Sequence, residues 1–117
     1  MSDRDPKLLL GDILDSAGKI FKYTENLTYE EFIADSKTID AVIRNFEIIG
    51  EAANRLPQKF KDENNSIDWF RIRGFRNRIV HQYFGIDYEL IWELRDTHLQ
   101  KLIAAIQNML AHKIFNK

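Results

Sequence analysis

Apolar residues recur every three or four positions along the chain, and this spacing constrains its fold more than any other sequence feature. The period places apolar side chains on one face of a helix, whereas a half-buried strand needs alternation, which is absent. Only 2 prolines and 5 glycines occur in 117 residues. We therefore expect an all-α protein, an up-down four-helix bundle with a short extra helical turn.

Capping signals predict where the first helices begin. Asp5 is a candidate N-cap with Pro6 at the first helical position, which predicts a helix from there to Tyr23. Thr28 and Glu31 have the spacing of a capping box, which predicts a short helical turn after the first helix.

The second long helix is expected to be capped by Asp35 or Ser36 and to end near Leu56. Its apolar positions are close to a heptad seam, which suits packing along another helix. The polar stretch 57–66 is interpreted as an exposed loop.

A third helix is expected over 67–83, ended by Gly85, and Asp87 is expected to cap the fourth. Gly50 and Gly74 fall inside predicted helices, where each costs about 1 kcal/mol relative to alanine. We expect that they allow two backbones to approach closely, either between the second and third helices or across a dimer axis.

Composition excludes several classes of protein. The chain has no cysteine, which excludes disulfides and thiolate metal sites. Its apolar runs are far shorter than a membrane span, and the first residues resemble no apolar signal region. We expect a single domain over 1–117, in the cytoplasm, with no membrane partner.

Charge is distributed unevenly along the chain. A net charge of −1 argues against a general nucleic-acid coat protein. The stretch 69–86, however, contains no acidic residue. Its cationic or titratable side chains are Arg71, Arg73, Arg76, Arg78 and His81. If the chain binds nucleic acid, this is the expected surface.

The basic stretch contains an arginine, a histidine five residues later and a tyrosine two residues after that: Arg76, His81 and Tyr83. Arginine recognises phosphate with a planar pair of donors, and histidine transfers protons near neutral pH. These groups suffice to cut RNA without a metal. The other histidines, His98 and His112, have no metal-like spacing, so no metal or cofactor is expected.

On an ideal helical wheel Arg76 lies on the apolar side, where an arginine is costly unless it is paired. Glu47 and Glu51, on the polar strip of the second helix, are its candidate partners. Arg76 and His81 are about 140° apart on that wheel. They can therefore act on one ligand only if the arginine reaches across or a second subunit completes the site. The plainer alternative is that Arg76 forms a structural ion pair and His81 is a solvated surface histidine.

The chain resembles the HEPN superfamily, specifically the HepT-like toxins of prokaryotic toxin–antitoxin pairs. It has their motif of Arg, four residues, His, one residue and Tyr at Arg76, His81 and Tyr83. The block 41–52 is similar to the family's second helix, and 69–87 with Trp92 is similar to its third and fourth. The resemblance covers nearly the whole chain.

The resemblance implies a helical homodimer with two copies of the motif around one cleft. It also implies a metal-independent endoribonuclease. The implied partner is an MntA-type nucleotidyltransferase antitoxin, which adds AMP to the motif tyrosine, here Tyr83. A larger hetero-oligomer with that antitoxin is compatible with this picture.

RNA cleavage requires groups of the kinds found in this stretch. His81 would act as general acid or base, and Arg76 would stabilise the charge that develops on phosphorus. Asn77 would orient the imidazole or contact phosphate, while Arg73 and Arg78 would hold neighbouring phosphates. One alternative is a non-catalytic, nucleotide-binding partner of a nucleotidyltransferase, which needs the arginines but not His81. Another is a plain interaction bundle.

Overall fold

The computed structural model describes residues 5–81 and 85–112. Its helices are α1 Pro6–Thr24, α2 Tyr29–Ile33, α3 Ser36–Arg55, α4 Gln58–Glu63, α5 Trp69–Arg73, α6 Phe75–Ile79, α7 Tyr88–Glu93 and α8 Leu99–Ala111. A π-helical turn, Leu94–His98, joins α7 to α8, and strands β1 Val80–His81 and β2 Gly85–Ile86 pair antiparallel. The expected all-α helical bundle is confirmed. In the described ranges, no helix has the length and apolar character needed to cross a membrane.

The predicted caps of the first helices are present. The Asp5 carboxylate accepts a hydrogen bond from the backbone N–H of Lys7 at the start of α1. The Thr28 hydroxyl accepts from the N–H of Glu31, whose carboxylate accepts from the N–H of Thr28, so both bonds of the capping box form. These side chains satisfy helix N–H groups that have no partner within the helix.

Helix α3 is central to the bundle because it packs against α1, α2, α5 and α6, while α8 packs against α1. Asp35 caps α3 through the N–H of Thr38, and the helix ends at Arg55, as predicted. The largest fully buried side chains are Phe32, Phe46, Phe75, Leu9, Leu10, Ile13, Ile20, Ile49, Ile79, Ile91, Leu94 and Leu99. They form one hydrophobic core to which most of the helices contribute.

The expected continuous third helix over 67–83 is wrong. Gly74, with φ −91° and ψ 1°, separates α5 from α6, and α6 ends at Ile79. Val80 then becomes extended, and the backbone N–H of Asp87 donates to the Ile79 carbonyl at 2.8 Å, closing a hairpin. The end of the predicted helix, including Tyr83, lies outside the described residues.

The interpretation of 57–66 as a loop is also wrong, although most of these residues are exposed as expected. Helix α4 forms there because Phe60 is buried and packs its ring 6.2 Å from that of Trp69. The Trp69 indole N–H donates to the carbonyl of Asn64 at 3.1 Å. One aromatic side chain therefore anchors an otherwise polar helix.

Gly50 allows the close approach that was predicted between the second and third helices. A Cβ at this position would lie 2.9 Å from the carbonyl oxygen of Arg73. Among the described residues of the protomer, Gly74 makes no such approach, because the nearest contact of a Cβ would be an ordinary 3.7 Å, and the alternative of a dimer axis stays a prediction. Gly74 instead marks the break between α5 and α6.

The predicted cap of the last helix is confirmed, since the Asp87 carboxylate accepts from the N–H of Leu90 at 3.0 Å. The π-helical turn that follows was not predicted. Leu94 and Leu99 are five positions apart and both are fully buried, so the wider π-helical turn brings them to the same face. An ordinary helix would rotate two residues at that spacing onto different faces.

Candidate active site

Arg76 lies at the protein surface, with 44% of its side chain exposed. The expectation that it occupies the apolar side is wrong, because the wheel assumed a helix that Gly74 in fact interrupts. Its Nε lies 3.9 Å from Oε2 of Glu47, and its Nη1 donates to Oδ1 of Asn77 at 3.5 Å. The guanidinium is therefore tethered at the surface with N–H donors to spare.

Glu47 is the carboxylate that pairs with Arg76. It also accepts a hydrogen bond from Nη1 of Arg44 at 2.7 Å, so it links two cations. Glu51, the other candidate, instead pairs with Arg55 at 2.9 Å. Exposed ion pairs contribute only about 0–1 kcal/mol to stability. Glu47 therefore contributes little to stability, and its negative charge attracts Arg76 at the surface.

His81 is exposed on β1, where it pairs in register with Gly85 of β2. Gly85 has φ 87°, a left-handed conformation that glycine adopts without strain. The fully buried Ile79 and its hydrogen bond from Asp87 fix the base of the hairpin. His81 is thus held by backbone structure although its side chain faces solvent.

His81 lines one shallow depression, together with Tyr29, Ile86, Asp87, Tyr88 and Glu89. Tyr29 was missed by sequence reasoning because it lies on α2, far away in the chain. Burial, and then the charges of Glu89 and Asp87, raise the pKa of Tyr29 above its ordinary value. The phenol carries its proton at neutral pH, as an ordinary tyrosine does, and can donate a hydrogen bond within the depression that His81 also lines.

A second depression contains the other predicted phosphate contacts, Arg73, Asn77 and Arg78. Its remaining lining residues are Asp68, Phe70, Arg71 and Gly74. The exposed Phe70, on α5, was also missed, because an apolar residue within a predicted helix gives no sequence signal for a binding site. The structure therefore brings three predicted residues together in one depression, whereas His81 lines a separate depression of the same protomer.

Among residues 5–81 and 85–112, no group of three or more His, Cys, Asp or Glu side chains is arranged to hold a metal ion. The groups available for chemistry in the two depressions are a histidine, two tyrosines, three carboxylates, an amide and three arginines. They can transfer protons and bind phosphate.

Comparison with known families decides the relationship of the chain. The model of the family "Ribonuclease HepT-like" matches residues 13–109. The chain belongs to this family. The family match includes both depressions, and it includes Tyr83, which lies outside the described residues.

Individual relatives agree with the HepT-like assignment. A Methanocaldococcus jannaschii protein named "Putative RNase" is 40% identical over 102 residues, which cover 87% of this chain and 94% of the relative. A Thermococcus cleftensis protein named "Probable ribonuclease HepT" is 38% identical over 90 residues, or 77% of this chain and 82% of the relative. No solved structure matches the chain at a significant level.

One further relative has a name with two activities. It is a Methanocaldococcus jannaschii protein named "Gamma-glutamylcyclotransferase and putative RNase", 36% identical over 114 residues. The match covers 97% of this chain but 51% of the relative. The similarity is therefore confined to about half of that longer protein.

Proposed function

We propose that this protein is a metal-independent endoribonuclease and the toxin of a toxin–antitoxin pair. The observation that carries the proposal is the HepT-like family match over 13–109, with the motif Arg76, His81 and Tyr83 intact within it. Relatives named as RNases support an RNA substrate.

Arg76 is suited to stabilise the transition state. During cleavage the RNA 2′-hydroxyl attacks the adjacent phosphorus, and additional negative charge develops on the phosphate oxygens. Glu47 lies 3.9 Å from Nε and Asn77 accepts from Nη1 at 3.5 Å, which leaves further N–H groups of the guanidinium for those oxygens. Donors placed in advance where charge develops accelerate such reactions.

His81 is the proposed general acid or base, which typically contributes about 10²–10⁴-fold. The reaction needs two proton transfers, one from the 2′-hydroxyl and one to the departing 5′-oxygen. Each protomer supplies a single motif histidine. We therefore propose a homodimer in which two copies of His81 divide these roles, and in which each depression of one protomer is completed by its partner.

A mixed dimer tests this division. With one His81→Ala subunit, activity per dimer should fall strongly, because one proton transfer loses its catalyst. The measurement is cleavage by heterodimers purified through two different affinity tags. Full activity per dimer would rule out the division of roles.

Tyr83 is the proposed target of an MntA-type nucleotidyltransferase antitoxin. AMP attached two residues from His81 would add bulk and negative charge, block RNA and compete for Arg76. Tyr83→Phe should therefore keep nuclease activity and escape the antitoxin, as measured by mass spectrometry and RNA cleavage after incubation with antitoxin and ATP. AMP transfer to the variant would reject Tyr83 as the acceptor.

The decisive experiment incubates purified protein with total cellular RNA in EDTA, beside His81→Ala and His112→Ala. We expect cleavage by the wild type and by His112→Ala, since His112 is an exposed histidine at the end of α8 that lines neither depression. His81→Ala should be inactive. Intact mass must first exclude an AMP on the wild type, because that modification would also silence it.

The competing function is a non-catalytic, nucleotide-binding partner of a nucleotidyltransferase. One observation favours it: Arg73, Asn77 and Arg78 share a depression that His81 does not line. Such a site could hold a phosphate without cutting RNA. A folded, dimeric and unmodified wild type that leaves RNA intact in EDTA would select this function.

A further inference from the structure

Phe70 combines high exposure with a rigid attachment. The residue is 76% exposed, the highest fraction among the exposed large apolar residues that the structure describes. The neighbouring Trp69 and Ile72 are buried, and the Asp68 carboxylate caps the helix by accepting from the N–H of Arg71. The ring therefore projects from a short helix that is anchored in the core.

Arg73 lies beside this ring and also contacts α3. Its guanidinium carbon is 5.1 Å from the Phe70 centroid, within the range of a cation–π contact. Its Nη1 donates to Oδ1 of Asn54 at 3.4 Å. The close fit of Gly50 against the Arg73 carbonyl holds the backbone itself near α3.

The surroundings of Phe70 are mostly polar and cationic. Phe70, Arg73 and Asp68 line both the depression of Arg78 and a neighbouring one, so they form the ridge between the two. The neighbouring depression is also lined by Gln58, Lys61, Asp62, Asn65, Ser66, Ile67 and Trp69. Of these, Ile67 and Trp69 are buried. An isolated aromatic among polar groups differs from the apolar centre of a protein–protein interface.

We propose that Phe70 and Arg73 form a stacking platform for one unpaired base of single-stranded RNA, separate from Arg76 and His81. The inference rests on the proposed ribonuclease function and deepens it by naming the class of substrate. Aromatic side chains stack on unpaired bases, whose faces are hidden in a duplex. Arg71, Arg73 and Arg78 supply positive charge for the adjoining phosphates.

The platform predicts a preference for loops and single strands, because a base must leave its stack to reach the ring. It also predicts tolerance of base identity, since every base has a face on which to stack.

Binding is tested by fluorescence anisotropy with a labelled single-stranded oligoribonucleotide, in the His81→Ala protein so that RNA stays intact. Phe70→Ala and Phe70→Leu should each weaken binding about 5- to 100-fold, whereas Phe70→Trp keeps the affinity. Leucine retains apolar bulk but lacks a π face, so it separates stacking from simple apolar contact. On an abasic oligonucleotide of equal charge, the three variants should bind alike.

Tyr23→Ala is the matched control, because it removes an exposed aromatic from α1. It should leave RNA affinity unchanged. Thermal unfolding should confirm that the Phe70 variants are folded, as expected for a side chain that is mostly in solvent.

Two outcomes would overturn the platform. If Phe70→Leu bound RNA with wild-type affinity, the ring would act through apolar contact and not through stacking. A change in oligomeric mass of Phe70→Ala, measured by light scattering, would assign the ring to a contact with a second copy of the chain.

The failure of the platform is distinguishable from failure of the proposed function. If the unmodified wild type cuts RNA while Phe70→Ala keeps full affinity, only the platform is lost. If the wild type neither binds nor cuts RNA, both are lost.

Discussion

Helix α3 and the segment from α5 through β2 are similar in length but opposite in construction. α3 is one regular helix of 20 residues that begins at the cap Asp35. The other segment covers 69–86 with two helices of 5 residues each and a hairpin. All predicted site residues except Glu47 and Glu51 belong to the broken segment.

This difference shows how a small bundle can expose reactive groups. The regular helix α3 provides a continuous packing surface, and Gly50 lets the backbone of the broken segment lie directly against it. The break at Gly74 brings Arg76 to the surface, and the hairpin fixes the backbone of His81 although the side chain is exposed. An unbroken helix would have turned Arg76 toward the core.

The largest expected effect comes from the aromatic contact that joins the two regions. Phe46 on α3 is fully buried, with its ring edge-on to Phe75 at 5.9 Å. Phe46→Ala should lower the free energy of unfolding by about 3–5 kcal/mol, through lost burial and a cavity. Denaturant titration measures this. Phe70→Ala, the same substitution at an exposed site, should change it by less than about 0.5 kcal/mol.

Arg76→Ala should separate function from stability. We expect cleavage to fall about 10²–10³-fold, as for the loss of a preorganised donor, while the unfolding midpoint stays nearly constant because the side chain is substantially exposed. Single-turnover cleavage and denaturant titration measure the two effects. Arg44→Ala removes the other cation bound to Glu47 and serves as control. Equal losses in the two variants would mean that net charge, and not Arg76 itself, matters.

Gly50→Ala tests the contact between α3 and the broken segment. Its Cβ would press on the Arg73 carbonyl, so we expect a destabilisation of about 1–3 kcal/mol. Gly18→Ala in α1 meets nothing within 4 Å and should stabilise by up to about 1 kcal/mol. Equal responses in thermal unfolding would show that the approach of the backbones imposes no constraint.

The smallest expected effect is a pH dependence from His98 on the π-helical turn. Burial, and then the charge of Arg71, lower the pKa of His98 below its ordinary value. Between that lowered pKa and about 6.5, the unfolded chain binds more protons than the folded one, so stability rises with pH. His98→Gln should flatten the stability profile in this window. An unchanged slope in denaturant titrations would assign the dependence to other groups.

The sequence predicted the regular parts of the fold because their signals are local. Asp5, the capping box at Thr28 and the caps Asp35 and Asp87 each act within one helical turn. Helix boundaries set by such caps agree with the structure to within a residue or two. The central position of α3 also agrees with its continuous apolar seam.

The broken segment was not predicted because its geometry depends on contacts distant in sequence. Helix α4 depends on the packing of Phe60 against Trp69, and the hairpin depends on the bond between Ile79 and Asp87. The pairing of Arg76 with Glu47 was among the predicted alternatives, but its exposure was not. The nearness of Tyr29 to His81 had no signal in the sequence at all.

The π-helical turn acts as a phase shift in the last helix. The extra residue between Leu94 and Leu99 lets both halves present their apolar side chains to the same core. The half before the turn can therefore direct Trp92 toward Phe32 of α2, with ring centroids 4.9 Å apart, while the half after it packs along α1. One inserted residue thus lets the segment before the turn contact α2 while the segment after it packs against α1.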